Sequence, residues 1–75
     1  MNSRVLKIHD INPDGVVVVI PWNKFTVGVS GFVPCVNTEK AVQQLNKIAK
    51  DRGIELDIRV TIEENCLGVR FWRTL

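Results

Sequence analysis

Hydrophobic and polar positions alternate most regularly after Gly53, where Ile54, Leu56, Ile58, Val60 and Ile62 are separated by Glu55, Asp57, Arg59, Thr61 and Glu63. A period of two sends the sets to opposite faces, so this stretch predicts a strand with one buried and one polar side. Glu64-Asn65-Cys66 reads as a tight turn. Beyond it Leu67, Val69 and Phe71 alternate with Gly68, Arg70 and Trp72, predicting a second strand and a closing hairpin. Upstream the period lengthens to that of a helix. Ala41, Val42, Leu45, Ile48 and Ala49 form one stripe, Asn37 or Thr38 can cap its start, Glu39 complements its positive end, and Gly53 supplies the left-handed residue that stops it. Lys40, Gln43, Gln44, Lys47, Lys50 and Asp51 fall on the other side and read as a solvated face.

The first half is less regular. Asn12-Pro13-Asp14-Gly15 places Pro where its fixed φ starts a type I turn and Gly where a positive φ closes it, which predicts a hairpin between strands near Arg4–Ile11 and Val16–Ile20. Five successive apolar residues from Val16 to Ile20 put hydrophobic side chains on both faces of such a strand. Pro21 to Val29 reads as a packed loop with room for one helical turn, and Ser30 to Cys35 as a short strand whose end Pro34 places at a sheet edge or on the way out. The fold expected is therefore α+β: an antiparallel sheet of four to five strands with one helix packed on one face, in the order β-β-β-α-β-β.

Composition agrees and adds a constraint of size. Val and Ile account for 19 of the 75 residues, and most lie outside the helical segment. The length admits one domain, 1–75, with a single core. One helix covers one face of the sheet, so the other needs the loop carrying Trp22 and Phe25, a twin subunit or a target. Val17, Val19, Trp22 and Phe25 are the residues expected to serve in self-association or loop cover, and a homodimer is expected.

Net charge is +2, too small an excess to identify nucleic acid as a partner. Cys35 and Cys66 lack metal-ligand spacing and His9 cannot complete a site with them, so no metal or cofactor is expected. The cysteines read as small, reduced, buried thiols in an intracellular protein, and no stretch has the length of a membrane span. Catalytic groups are sparse and form no constellation. His9 shares its strand with Val5 and Lys7, Cys66 has nothing in sequence arranged to activate it, and Gly28 and Gly31 lack the context of a phosphate loop. A non-catalytic protein is the expectation.

One cluster stands out: Gly68-Val69-Arg70-Phe71-Trp72-Arg73, joined across the hairpin by Arg59. Arg59, Arg70 and Arg73 supply cations and Trp72 a flat ring, the parts that a sheet-face binder of single-stranded DNA or RNA requires. Carboxylates on the same hairpin weigh the other way, and the broader expectation is a protein-binding face.

The stretches Ile20-Pro21-Trp22, Val27-Gly28-Val29-Ser30-Gly31-Phe32-Val33-Pro34-Cys35 and Glu64-Asn65-Cys66-Leu67-Gly68-Val69-Arg70-Phe71-Trp72-Arg73 resemble a group of small uncharacterised proteins encoded by tailed bacteriophages. That group carries a Gly-x-Ser-Phe-Phe-Val-Pro-like strand and a closing Gly-Val-Arg-Val-Trp-Arg. Here Gly31 stands in place of an aromatic residue and Phe71 in place of Val. The resemblance implies a phage accessory protein acting in the host cytoplasm and brings no activity with it. The protein expected to dock on the sheet face, or on the Val16 to Ile20 edge, is then a host or virion protein, or a second copy of the chain.

Overall fold

The computed structural model describes residues 10–75. Its regular elements are a short 3-10 helix, Trp22–Lys24, then β1 (Ser30–Pro34), α1 (Thr38–Arg52), β2 (Leu56–Glu63) and β3 (Cys66–Arg73). The three strands form one antiparallel sheet in the order β1-β3-β2, with the last strand of the chain at its centre. The α+β class thus holds, with one helix and three strands among the described residues. The expected first strand, with His9, Val5 and Lys7, lies almost wholly outside them.

Both ends of α1 form where the sequence places them. The Asn37 side chain accepts the Lys40 N–H at 3.1 Å, and Gly53 takes a left-handed φ of 69°. The Ile54 N–H then reaches back to the Ala49 carbonyl (3.0 Å) and the Gly53 N–H to that of Lys50 (3.3 Å), the paired bonds of a Schellman ending. Ala41, Leu45, Ile48 and Ala49 are buried against the sheet, with Val42 partly so. Gln44 departs from the solvated face expected for it. Its amide exchanges two hydrogen bonds with Asn12, donating to the side-chain oxygen at 2.8 Å and accepting the backbone N–H at 2.9 Å.

The Asn12-Pro13-Asp14-Gly15 turn closes as expected, the Gly15 N–H donating to the Asn12 carbonyl at 3.0 Å with φ of 84° at Gly15. The strand expected at Val16–Ile20 does not form. A single bridge joins Ile11 to Val18, after which Pro21, with no N–H to donate, turns the chain into the 3-10 helix. Val16 and Val19 are exposed, Val17 and Val18 half-buried, and Ile20 buried, so the apolar run is not sandwiched between two layers. Val18, Ile20 and β1 instead line a groove of about 250 Å³.

Trp22 and Phe25 are buried against Phe71, with ring centroids 6.2 and 5.1 Å from it, and the Arg52 guanidinium lies 5.7 Å from the Trp22 ring. Phe71 faces α1, so the loop and the helix cover the same side of the sheet, not opposite sides. Two glycines permit the close approach of β1 and β3. A Cβ at Gly31 would meet the Phe71 ring at 2.9 Å, and one at Gly68 would meet the Phe32 ring at 2.6 Å.

Asp14 joins the first turn to the helix, its two carboxylate oxygens accepting the Val36 and Asn37 N–H groups at 2.8 Å each. Those bonds stabilise the anion, first Asn37 and then Val36, and hold its pKa below the usual carboxylate range. A depressed pKa contributes stability that is present above the unfolded value, about pH 4, and lost as pH falls through the folded one. Thermal melts of wild type should therefore lose stability on acidification below about pH 4, and Asp14→Asn, which cannot accept both bonds, should show a shallower loss.

Candidate functional site

Strand alternation and register build the second face of the sheet. Cross-strand rows place Ser30, Trp72 and Asp57 together, then Phe32, Arg70 and Arg59, then Pro34, Gly68 and Thr61, with Glu63 beside Cys66 at the hairpin end. Among the described residues nothing packs over these rows. Glu64 and Asn65 make the tight turn between the strands with φ of 51° and 65°, the two positive values that let a two-residue connection follow the strand twist.

Two aromatic rings and two guanidinium groups dominate this face. Arg59 stands 5.5 Å from the Trp72 ring and Arg70 stands 5.4 Å from the Phe32 ring. Each arginine is also matched to a carboxylate on β2. Arg59 bonds Asp57 at 3.4 Å, and both are well exposed. Arg70 forms a two-point pair with Glu63, its Nε donating to one oxygen at 2.9 Å and a terminal nitrogen to the other, while its remaining terminal nitrogen donates to the Ser30 hydroxyl at 3.2 Å. The hydrogen bond to Arg70 lowers the Glu63 pKa and raises that of Arg70. A planar guanidinium held by a fork of this kind is positioned, not swinging. A hollow of about 320 Å³ beside the Glu63–Arg70 pair is lined by Phe32, Pro34, Glu63, Glu64, Cys66 and Arg70.

Of the residues proposed from sequence, Arg59, Arg70 and Trp72 share this face, and Arg73 does not. Alternation puts Arg73 with Phe71 on the helix side, where its guanidinium donates to the Phe25 carbonyl and the Leu75 carbonyl, each at 3.0 Å. It fastens the loop to the chain end instead of presenting a cation. Phe32 was the missing member. Trp72 is not the only ring on the polar side, because Gly31 and Val33 point inward and send Phe32 outward. Trp22 and Phe25 are buried, and a buried ring is not available to a second chain, whereas Val17 is half-buried and Val19 exposed. The thiols also differ: Cys35 is buried, and burial pushes its pKa up, while Cys66 is exposed at the hairpin.

No helix among the described residues is long and apolar enough to cross a membrane. Comparison with protein-family models, characterised proteins and solved structures finds no significant match to this chain.

Adjacent residues of β3 should lose very different amounts of stability on truncation. Phe71→Ala empties the centre of the core and should cost about 3–5 kcal/mol, while Trp72→Ala removes a half-buried ring from the open face and should cost about 1 kcal/mol. Urea unfolding of both variants checks the contrast.

Proposed function

We propose that the protein is a non-catalytic interaction module that docks a partner protein on the open sheet face through Phe32, Arg59, Arg70 and Trp72. The observation that carries this reading is the charge balance of the face. Arg59 and Arg70 are each paired with a carboxylate, Asp57 and Glu63, so the platform holds cations in place without a net positive field. The same balance runs through the chain: residues 10–75 carry eight Lys and Arg against eight Asp and Glu, and the excess of two comes from Arg4 and Lys7. Phosphate capture depends on net positive charge, whereas protein hot spots favour Trp and Arg with polar groups already arranged around them. The hollow beside Arg70 gives a partner side chain a seat.

The setting suggested by the phage-like stretches is an accessory role in a host cytoplasm, with a host or virion protein as the partner. That setting rests on the sequence resemblance alone. A second reading, the binding of single-stranded DNA or RNA by Arg59, Arg70 and Trp72, gains one observation: Phe32 and Trp72 give two rings on one face, each beside a guanidinium, which is a stacking arrangement. Arg73 does not take part in it.

Affinity capture from a bacterial lysate treated with nuclease separates the readings. Recovery of a defined protein that is retained after nuclease and lost from Trp72→Ala and Phe32→Ala supports the protein-docking face. Quenching of Trp72 by an oligonucleotide at low salt, relieved steeply as salt rises, with no protein retained after nuclease, would instead establish the nucleic-acid reading.

A further inference from the structure

The outer edge of β2 is unusual for a protein that stays alone. Edge strands are commonly short, bulged, broken by Pro or guarded by inward-pointing charge, because their unpaired N–H and C=O groups template pairing with another chain. β2 has eight residues, contains no Pro and runs through an unbroken register from Leu56↔Arg73 to Glu63↔Cys66. Among the described residues its outer side is unpaired. The helix-facing residues near its end are bare as well: Val60 is 54% exposed, Ile62 69% and the neighbouring Leu67 41%.

The direction of its hydrogen-bonding groups follows from the ladder. Arg73 and Cys35 donate to the Val29 and Leu67 carbonyls, so the odd-numbered residues of β3 bond β1 and the even-numbered ones bond β2. Glu63 and Cys66, which flank the two-residue turn, are then a hydrogen-bonded pair, and so are Thr61 with Gly68 and Arg59 with Arg70. Leu56, Ile58, Val60 and Ile62 point their backbone groups outward.

We propose that this edge pairs antiparallel with the same edge of a second copy, about a two-fold axis at Thr61, to make a continuous six-stranded sheet. In that register Val60 of each copy faces Ile62 of the other as hydrogen-bonded pairs, each exchanging both of its N–H···O bonds. On the helix side, apolar rows run unbroken across the axis from Leu67 and Ile62 of one copy to Val60 and Val69 of the other. On the open face Arg59 meets Glu63 of the other copy, twice by symmetry, and the two Thr61 side chains meet on the axis. Centring on Ile62 sets Val60 against Glu64 in the turn, beyond the end of the strand, and two other registers of the same parity fail on charge. Centring on Val60 sets Asp57 against Glu63, and centring on Arg59 sets the two Arg59 side chains together. Centring on Ile58 also opposes unlike charges, but it moves the axis away from the exposed Val60 and Ile62. The pairing draws on Arg59 and Glu63 at the rim of the open face but does not use Phe32, Arg70 or Trp72.

The register sets the test. In an antiparallel pair, residues facing each other at a non-hydrogen-bonded position hold their Cβ atoms about 4.5–5.5 Å apart, near enough for a disulfide after small adjustment. Thr61→Cys, made together with Cys66→Ser, should therefore give a covalent dimer on mild oxidation, at a protein concentration where Cys66→Ser alone does not. Sedimentation velocity of wild type should show a monomer–dimer equilibrium within the micromolar range. Ile62→Lys should weaken it by about tenfold or more while leaving the melting temperature of the dilute protein unchanged. A monomer throughout that range, a dimer indifferent to Ile62→Lys, or a dimer that Thr61→Cys does not cross-link would each overturn the proposal.

Discussion

The seating of Phe71 over Gly31 is the contact on which the remaining structure depends. The ring lies 2.9 Å from where a β-carbon of Gly31 would stand, so a glycine there makes room for it, and the same ring is met by Phe25 and Trp22 from the loop. Strand alternation does the rest. With Phe71 fixed inward, Val69 and Ile58 must follow it into the core and Arg70 and Trp72 must face outward, because neighbours along a strand cannot share a side. Core and open face are therefore coupled: the residue that anchors the one also orients the residues of the other.

Small size explains why an irregular segment takes on work that a second helix would do in a larger domain. A chain of this length buries a modest fraction of its surface, and loop residues must extend the core. Ile11, Ile20, Trp22 and Phe25 do so, joining Val33, Leu45, Val69 and Phe71 in one cluster. The segment is then held by polar bonds at its rim: Asn12 to Gln44, Asp14 to the start of α1, and the Phe25 carbonyl to Arg73. Covering the helix side leaves the opposite side of the sheet bare among the described residues. There the fixed guanidinium of Arg70, the rings of Phe32 and Trp72 and the matched carboxylates form a surface that is polar, rigid and close to neutral.

What could be read from sequence was what local periodicity and capping determine. The helix with its Asn37 and Gly53 ends, the β2–β3 hairpin, the Asn12–Gly15 turn and the outward set Asp57, Arg59, Thr61, Arg70 and Trp72 all follow from neighbours in the chain. What escaped depends on contacts between distant segments. Val16–Ile20 has the composition of a strand, yet one bridge is all that forms before Pro21. Gln44 sits on the polar side of the helix by spacing, but Asn12 reaches it from far away in sequence. Arg73 and Phe32 are different cases, since alternation already assigned Arg73 to the side of Phe71. Phe32 could have been placed too, had the two glycines been read as seats for rings: Gly31 for Phe71 inside and Gly68 for Phe32 outside.

The two tryptophans lie on opposite sides of one sheet, Trp22 sealed into the core by its own loop and Trp72 standing on the open face. Labelling both with 5-fluorotryptophan and recording 19F spectra in H2O and D2O reads that arrangement directly, with Trp72→Phe to assign the signals. One resonance without a solvent isotope shift, from Trp22, and one that shifts, from Trp72, are expected. Equal shifts for the two, or a shift confined to Trp22, would contradict that arrangement.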